Sequence, residues 1–232
     1  MARRIRKKKS VKKSVLIAFE DTKSAKYYFN DLLRAKDIKG QVVLVNKDKG
    51  QDPKRVIEKL SEYKNDPKNT HETFSKEWIV IDKDNWTKDK YLGTIEKARN
   101  QNINVALSND AYELWILLHF EPLTKSTHRK ELNSELNKIF LEKFGIKYDK
   151  ASSDTYRLIE SYQATAIKNA KNLVNKHLRD YGKIDPMANP ISMVYELVEY
   201  LNLIYTLGKK EESELLFFPK KCDYEVYKFK RL

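Results

Sequence analysis

The chain has 232 residues, a mass of 27.4 kDa and a formal net charge of +13. Eight of its basic residues and none of its acidic residues lie at positions 1–13, which leaves a charge of +5 for residues 14–232. The strong basicity is therefore largely a property of the N-terminal segment. A hydrophobic content of 41%, with 11% aromatic residues, supplies enough side chains for a core and excludes a wholly disordered chain.

Cysteine count and hydropathy exclude several further classes. The single cysteine, Cys222, excludes a disulfide framework and a zinc site built on clustered cysteines. No apolar run approaches the roughly 20 residues of a membrane-spanning helix, and the apolar run after the basic start is too short for a signal peptide. We therefore expect a cytoplasmic protein without a membrane segment. Neither a Walker phosphate loop nor a GxGxxG motif occurs.

The first part of the chain alternates short apolar runs with segments of helical periodicity. A continuous run such as VLIAF at residues 15–19 is typical of a strand buried on both faces. Strands are predicted at residues 15–19, 41–46, 78–81 and 103–107, and helices at residues 25–33, 53–63 and 91–98. This β-α-β-α-β-α-β order favours an α/β fold, a Rossmann-like parallel sheet flanked by helices.

The chain after residue 110 has mainly helical periodicity. Helices are predicted around residues 111–120, 132–140, 164–174 and 194–201, and a short strand or extended segment at residues 215–218. We therefore expect three parts, namely a basic disordered arm at residues 1–13, an α/β domain at residues 14–120 and a mainly helical cap or extension at residues 121–232.

Acidic residues directly follow two of the predicted strands. Glu20 follows the first strand, and Asp82 and Asp84 follow the third. The carboxyl ends of parallel strands meet at one edge, where ligands bind. Converging carboxylates repel one another unless a cation or a raised pKa relieves them, and a set of oxygen ligands favours Mg²⁺ or Mn²⁺. The alternative is that all three are ordinary loop acids and helix N-caps, and their spacing alone does not decide.

These acids belong to two of three longer motifs. The motifs are FEDTKSAKYYF at residues 19–29, IVIDKDNW at residues 79–86 and SNDAYELWILLHF at residues 108–120, with weaker echoes in IKNAKNL at residues 167–173 and NPISMVYELV at residues 189–198. Together they resemble the RloB-like proteins, a family similar to Toprim-domain nucleases. The third motif is the most specific, because Glu, Trp and His interrupt an apolar helix in a fixed order.

The resemblance covers roughly residues 14–205 and has two departures. Asp21 stands where the family usually has Gly, and Lys23 and Ser24 replace an acidic residue that is expected after Thr22. Neither departure touches the three acids at the strand ends.

The resemblance implies a Toprim-like catalytic domain at residues 14–120 and a Mg²⁺- or Mn²⁺-dependent nuclease in antiphage or abortive-infection defence. RNA, including tRNA, is slightly preferred over DNA as the substrate. The catalytic residues would be Glu20, Asp82, Asp84 and Glu113, of which the first three would also be metal ligands. Glu113 has a second interpretation, since Asp110 and Glu113 have the spacing of a helix capping box.

Four residues are secondary candidates for the site. Ser108 and Asn109 follow the predicted fourth strand, where they either touch phosphate or, as we favour, cap the next helix. A lone histidine on an apolar helix, such as His119, is more often a core residue than a catalytic one. Lys168 either pairs with a phosphate or is an ordinary solvated lysine, which is the default.

The basic arm is predicted to attract nucleic-acid phosphates without sequence preference. Its basic residues are Arg3, Arg4, Arg6, Lys7, Lys8, Lys9, Lys12 and Lys13. A solvated arm without a particular partner is the alternative. We expect RNA or DNA as the partner, and a defence-system protein or a second copy of the chain as further candidates.

Two other functions compete with the nuclease. Phosphotransferases of the haloacid-dehalogenase type carry Asp-x-Asp on the first strand, with Thr or Val two residues after the second Asp. Here the motif follows the third strand and Trp86 stands at that position, which disfavours covalent aspartyl chemistry. A non-catalytic nucleic-acid-binding or partner-sensing subunit of a defence system, built on the same scaffold, stays open as the alternative.

Overall fold

A computed structural model of the chain describes residues 11–20, 23–45 and 53–208. The parallel strands are β1 (Val11–Phe19), β2 (Val42–Val45), β3 (Glu72–Asp82) and β4 (Asn104–Asn109). Residues 15–19 of β1 are completely buried. A strand in the middle of a parallel sheet needs apolar side chains on both faces, which explains its continuous apolar run.

The sheet has the strand order β2-β1-β3-β4-β5, in which β5 (Ile191–Ser192) is antiparallel to β4. Phe19 pairs with Val80 across β1 and β3, and Asp82 pairs with Ser108 across β3 and β4. The carboxyl ends of β1, β3 and β4 are therefore neighbours along one edge of the sheet, which we call the acid edge because Glu20, Asp82 and Asp84 lie there.

Helices connect the strands and form the remainder of the fold. The helices are α1 (Ser24–Ala35), α2 (Arg55–Asn65), α3 (Lys88–Asn100), α4 (Glu113–Leu117), α5 (Arg129–Phe144), α6 (Thr155–Ile159), α7 (Gln163–Tyr181) and α8 (Val194–Gly208), with a 3-10 turn at Glu160–Tyr162. No helix in the described ranges is long and apolar enough to cross a membrane.

Helix α4 links the sheet to the helical extension. All five of its residues are buried, and it packs against β4, β5, α5 and α7. One hydrophobic core runs from β1 to α8 and contains side chains from both sides of residue 120. The extension therefore shares the core of the α/β part, and through β5 it also contributes a strand to the sheet.

The predicted α/β fold, with its parallel sheet and helical C-terminal part, is confirmed. The strand boundaries differ, because β1 begins at Val11 and β3 at Glu72. Residues 11–13 of the predicted arm therefore belong to β1, where their backbone pairs with residues 72–74 of β3. The N-terminal parts of β1 and β3 have polar sequences, so no apolar run predicted them. Residues 1–10 and the extended segment predicted at residues 215–218 lie outside the described residues.

Candidate functional site

Glu20 and Asp82 are joined at the acid edge by the hydrogen bonding of β1 to β3. The Glu20 backbone N–H donates to the Val80 carbonyl at 3.0 Å. The Asp82 backbone N–H donates in turn to Glu20 Oε2 at 3.1 Å, and the Trp86 indole N–H donates to Glu20 Oε1. Both oxygens of Glu20 are thus oriented by groups of the DKDNW segment, which fixes this carboxylate beside Asp82.

The turn after β3 is held on the end of β4. The backbone N–H groups of Lys83 and Asp84 donate to the carbonyls of Ser108 and Asp110, each at 2.9 Å. Asp84 has a left-handed backbone with a φ of 36°, a conformation that Asp adopts more readily than most residues. The Lys83 ammonium donates back to the Trp86 carbonyl at 2.6 Å. The turn thereby has a defined shape next to Glu20.

Arg129, the first residue of α5, reaches the acid edge from the helical extension. Its backbone N–H donates to Asp110 Oδ2 at 2.8 Å, and its guanidinium forms a salt bridge with Asp84 Oδ1. Asp110 therefore anchors the start of α5. The role of Arg129 could not be predicted from the sequence, because this residue lies 45 residues after Asp84 and no local motif marks it.

Arg129 lies within the field of three acids. Partial burial by itself lowers its pKa, but the hydrogen bond and charge of Asp84 raise it. The charges of Glu113 and Asp110 add to this effect, so that the pKa of Arg129 lies above its ordinary value. Arg129 is therefore a permanent cation among the acids.

Glu113 is a buried carboxylate with two partners from distant parts of the chain. It is only 2% exposed, and its Oε1 atom accepts a hydrogen bond from the Ser24 hydroxyl at 3.0 Å. The Lys150 ammonium lies 2.8 Å from the same oxygen. The predicted capping box with Asp110 is wrong, since no side chain caps α4. A buried charge needs an opposite charge, and Lys150 provides it.

Two buried tyrosines, Tyr91 and Tyr112, are within the electrostatic influence of Asp82. Within the described part of the chain, the hydroxyls of Tyr91 and Tyr112 have no hydrogen-bond partner. The pKa of both is raised well above the ordinary value, first by burial and further by nearby charges that include Asp82. Both phenols therefore stay neutral and keep a hydroxyl hydrogen that they can donate.

Lys59 is a buried cation near the end of β1. Its side chain lies on α2, only 2% of the residue is exposed, and its ammonium donates to the Phe19 carbonyl at 3.2 Å. Phe19 directly precedes Glu20, so Lys59 adds positive charge next to the acid edge. The sequence did not predict this position of Lys59, because no motif distinguishes it from the other lysines of the chain.

Ser108 and Asn109 lie inside β4, so the favoured prediction that they cap a helix is wrong. The Ser108 hydroxyl is paired with the Ser192 hydroxyl at 3.1 Å, and the Asn109 side-chain amide donates to the Met187 carbonyl at 2.9 Å. Both residues therefore attach β5 and the segment before it to β4. Lys168 is exposed on α7.

His119 is a core residue, as the sequence favoured. Its Nδ1 atom lies 2.9 Å from the Trp115 carbonyl, which can only accept, so Nδ1 carries the proton. Its Nε2 atom then accepts from the Tyr28 hydroxyl at 3.3 Å. Complete burial lowers the pKa of His119 to about 4, which keeps the imidazole neutral at physiological pH.

The carboxylates of the acid edge are ligands of the type that a divalent cation prefers, but the described side chains are not grouped as a metal site. Among residues 11–20, 23–45 and 53–208, no three His, Cys, Asp or Glu side chains form a group that could hold a metal ion. Glu20, Asp82 and Asp84 nevertheless offer only carboxylate oxygens, the ligands that Mg²⁺ and Mn²⁺ prefer.

Comparisons with known proteins agree with the motifs at this edge. A search of curated proteins and a search of solved structures gave no match. The family model described as "RloB-like protein" matches residues 15–201, which include the buried part of β1, strands β2 to β5, the acid edge and most of the helical extension. The chain therefore belongs to the RloB-like family.

Proposed function

We propose that this protein is a Mg²⁺- or Mn²⁺-dependent nuclease of the Toprim type that hydrolyses phosphodiester bonds in antiphage defence. RNA, including tRNA, is the preferred substrate over DNA. The observation that carries the proposal is the hydrogen bond from the Asp82 backbone to the Glu20 carboxylate, at the adjoining ends of β1 and β3. Membership of the RloB-like family supports it, since the resemblance of the motifs to that family implies a Toprim-type nuclease.

Glu20, Asp82 and Asp84 would hold the cation. A bound Mg²⁺ neutralises charge on the scissile phosphate and makes a coordinated water more acidic. Glu20 is held by the Asp82 N–H and by the Trp86 indole, so its orientation is fixed before substrate arrives. It either holds the ion or accepts a proton from the attacking water.

Cations around the acids would receive the polyanion. Arg129 and Lys150, whose side chains are 35% and 36% exposed, pair with Asp84 and Glu113. Without these positive charges, the acids at the strand ends would repel a phosphate backbone. The basic residues at positions 1–13 would add attraction that is sensitive to salt and indifferent to sequence.

A non-catalytic nucleic-acid-binding or partner-sensing subunit is the second candidate. The observation that favours it is the pairing of Asp84 with Arg129 and of Glu113 with Lys150. Two of the four acids are thereby neutralised by the protein itself. A binding subunit keeps its affinity for RNA or DNA after loss of Asp82 and Asp84, and it yields no cleavage products with either metal.

A cleavage assay separates the two candidates. Purified protein is incubated with labelled tRNA, single-stranded RNA and duplex DNA in Mg²⁺ or Mn²⁺, beside the double variant Asp82→Ala/Asp84→Ala. We expect cleavage by the unaltered protein and a loss on the order of a thousandfold in the double variant. The control Glu135→Ala/Asp154→Ala removes two exposed acids of the extension and keeps full activity.

Two outcomes contradict the proposal in different ways. Cleavage that persists in Asp82→Ala/Asp84→Ala rules out the acid edge as the site. Binding without cleavage, for every substrate and both metals, favours the non-catalytic subunit.

A further inference from the structure

The contact between Arg129 and Asp84 joins the helical extension to a predicted metal ligand. The side chains of Arg129 and Asp84 are 35% and 33% exposed, so both groups are accessible to solvent and to a ligand. The backbone of Arg129 is fixed independently, by the hydrogen bond of its N–H to Asp110. The guanidinium can therefore leave Asp84 while the start of α5 stays in place.

An arginine at this position suits a phosphate better than a carboxylate alone. A guanidinium carries five N–H donors in a planar fork that matches two oxygens of a phosphate, and it remains charged at any physiological pH. The salt bridge to Asp84 is made through Nη1. The fork has further N–H donors, and the side chain is 35% exposed, so a phosphate can reach it from solvent.

We propose that Arg129 is a phosphate-binding residue of the acid edge, which rests on Asp84 without ligand and transfers to a nucleic-acid phosphate when a divalent cation takes Asp84. This inference rests on the proposed function, because it assigns the group that receives the substrate at that site. The exchange replaces one ion pair with two, Asp84 with the cation and Arg129 with phosphate. No carboxylate or guanidinium is left unpaired.

The exchange requires that the two ligands help each other to bind. A cation that occupies Asp84 releases Arg129 for the phosphate, and a phosphate that holds Arg129 exposes Asp84 to the cation. Linkage makes this coupling reciprocal and equal in both directions. Loss of the negative charge on Asp84 should have the same effect on Arg129 as the cation has.

The test measures the affinity of the full chain for a labelled single-stranded RNA by fluorescence anisotropy, without divalent ions. The variants are Arg129→Ala, Asp84→Asn, and the double variants Asp84→Asn/Arg129→Ala and Asp84→Asn/Arg129→Lys. The control Lys138→Ala removes a positive charge from the same helix, about 13 Å further along its axis, and its partner Glu135 lies on that helix. Thermal melting checks that each variant is folded, and a gel checks that the RNA stays intact.

We expect Asp84→Asn to bind RNA about tenfold more tightly than the unaltered protein, because Arg129 is released. That gain disappears in Asp84→Asn/Arg129→Ala. Arg129→Lys keeps the charge but not the fork, so Asp84→Asn/Arg129→Lys shows a smaller gain. With Ca²⁺ added, the increase in RNA affinity is smaller in Arg129→Ala than in Lys138→Ala.

A gain that persists in Asp84→Asn/Arg129→Ala overturns the inference, since simple relief of repulsion then explains it. An equal increase in RNA affinity on addition of Ca²⁺ in Arg129→Ala and Lys138→Ala also overturns it. If the unaltered protein cleaves RNA and substitution of Arg129 does not change RNA affinity in any background, the inference fails and the proposed function stands. If it binds neither RNA nor DNA under any condition, both fail together.

Discussion

Glu113 shows how strongly a single buried acid depends on a distant residue. Its carboxylate is buried and is held by the Ser24 hydroxyl and the Lys150 ammonium. Lys150→Ala leaves the charge with one neutral partner, so we expect a loss of about 1–3 kcal/mol in the free energy of unfolding. Urea denaturation measures this loss, and Lys147→Ala, which removes an exposed neighbouring lysine, should change the free energy by less than about 0.5 kcal/mol.

The cost of Lys150→Ala should depend on the charge of Glu113. In a Glu113→Gln background the amide oxygen can still accept from Ser24, but no buried charge is left to neutralise. Lys150→Ala should then cost much less than it does in the unaltered protein. Equal costs in both backgrounds would contradict an ion pair between Lys150 and Glu113.

His119 gives the protein a defined pH dependence of stability. Its pKa is about 4 in the fold and 6.5 in the unfolded chain, so between these values the unfolded chain binds one more proton. The free energy of unfolding therefore rises with pH across this window. The contribution from His119 is fully present above about pH 6.5 and falls by about 3 kcal/mol by pH 4. We expect the free energy of unfolding of His119→Gln, measured by urea denaturation, to depend less steeply on pH between pH 4.5 and 6.5. The difference in slope should correspond to at most one bound proton.

Other groups also titrate in this window, so the comparison with His119→Gln is what isolates the imidazole. The same pH slope in the unaltered protein and in His119→Gln would show that the buried imidazole is not the source of the dependence.

Single residues also show where sequence reasoning ended. Glu20, Asp82 and Asp84 could be placed at one edge because each follows an apolar run whose end is clear in the sequence. Arg129 and Lys150 could not, because their partners lie 45 and 37 residues earlier and only the three-dimensional packing brings them together. The predicted capping box was wrong for a similar reason. Glu113 is held by Lys150 and Ser24, which are distant in sequence, and it does not cap its own helix.

Among the helices, α5 depends on its C-terminal glycine. Gly145 has a φ of 70°, and its N–H donates to the Leu141 carbonyl at 3.0 Å to end the helix. A Cβ on Gly145 would meet no atom within 4 Å, so any effect of Gly145→Ala comes from the backbone conformation alone. We expect Gly145→Ala to lower the free energy of unfolding by about 1 kcal/mol in urea denaturation.

Gly40 is the matched control for this substitution. It also has open space around its Cβ position, and its φ lies outside the left-handed range. Gly40→Ala should therefore be neutral or stabilising by a few tenths of a kcal/mol. A loss in Gly40→Ala equal to that in Gly145→Ala would argue against a left-handed end of α5.

Strand lengths show which elements a pattern can predict. Residues 15–19 and 78–81 are apolar because helices cover both faces of the sheet there, and this run identified both strands. The earlier halves of β1 and β3 pair with each other in register from Val11 and Glu72, yet their sequences are polar and gave no periodic signal. Strand β5 has two residues, which is too short for any pattern to appear.

For the whole molecule, the net charge of +13 divides into +8 at residues 1–13 and +5 at residues 14–232, which include the acid edge. Deletion of residues 1–10 removes six basic residues and leaves β1 intact, because the strand begins at Val11. We expect weaker RNA binding and a slope of log affinity against log salt that is reduced by up to about 4. Anisotropy titrations at several salt concentrations measure both quantities.

Deletion of residues 1–13 provides the contrast in stability. It also removes three residues whose backbone pairs with β3, so its melting temperature should be lower than that of the shorter deletion. An unchanged salt slope after removal of residues 1–10 would contradict a role of this segment in attracting phosphate.

The most direct test of the account is whether a divalent cation binds at the acid edge. Anomalous diffraction at the manganese edge, from crystals of the full chain grown with Mn²⁺, locates that ion without assumptions about activity. We expect a peak bounded by Glu20, Asp82 and Asp84, with the Arg129 guanidinium displaced from Asp84. Crystals that hold Mn²⁺ elsewhere, or none at all, with Arg129 still paired to Asp84, would contradict the assignment of this edge as a metal centre.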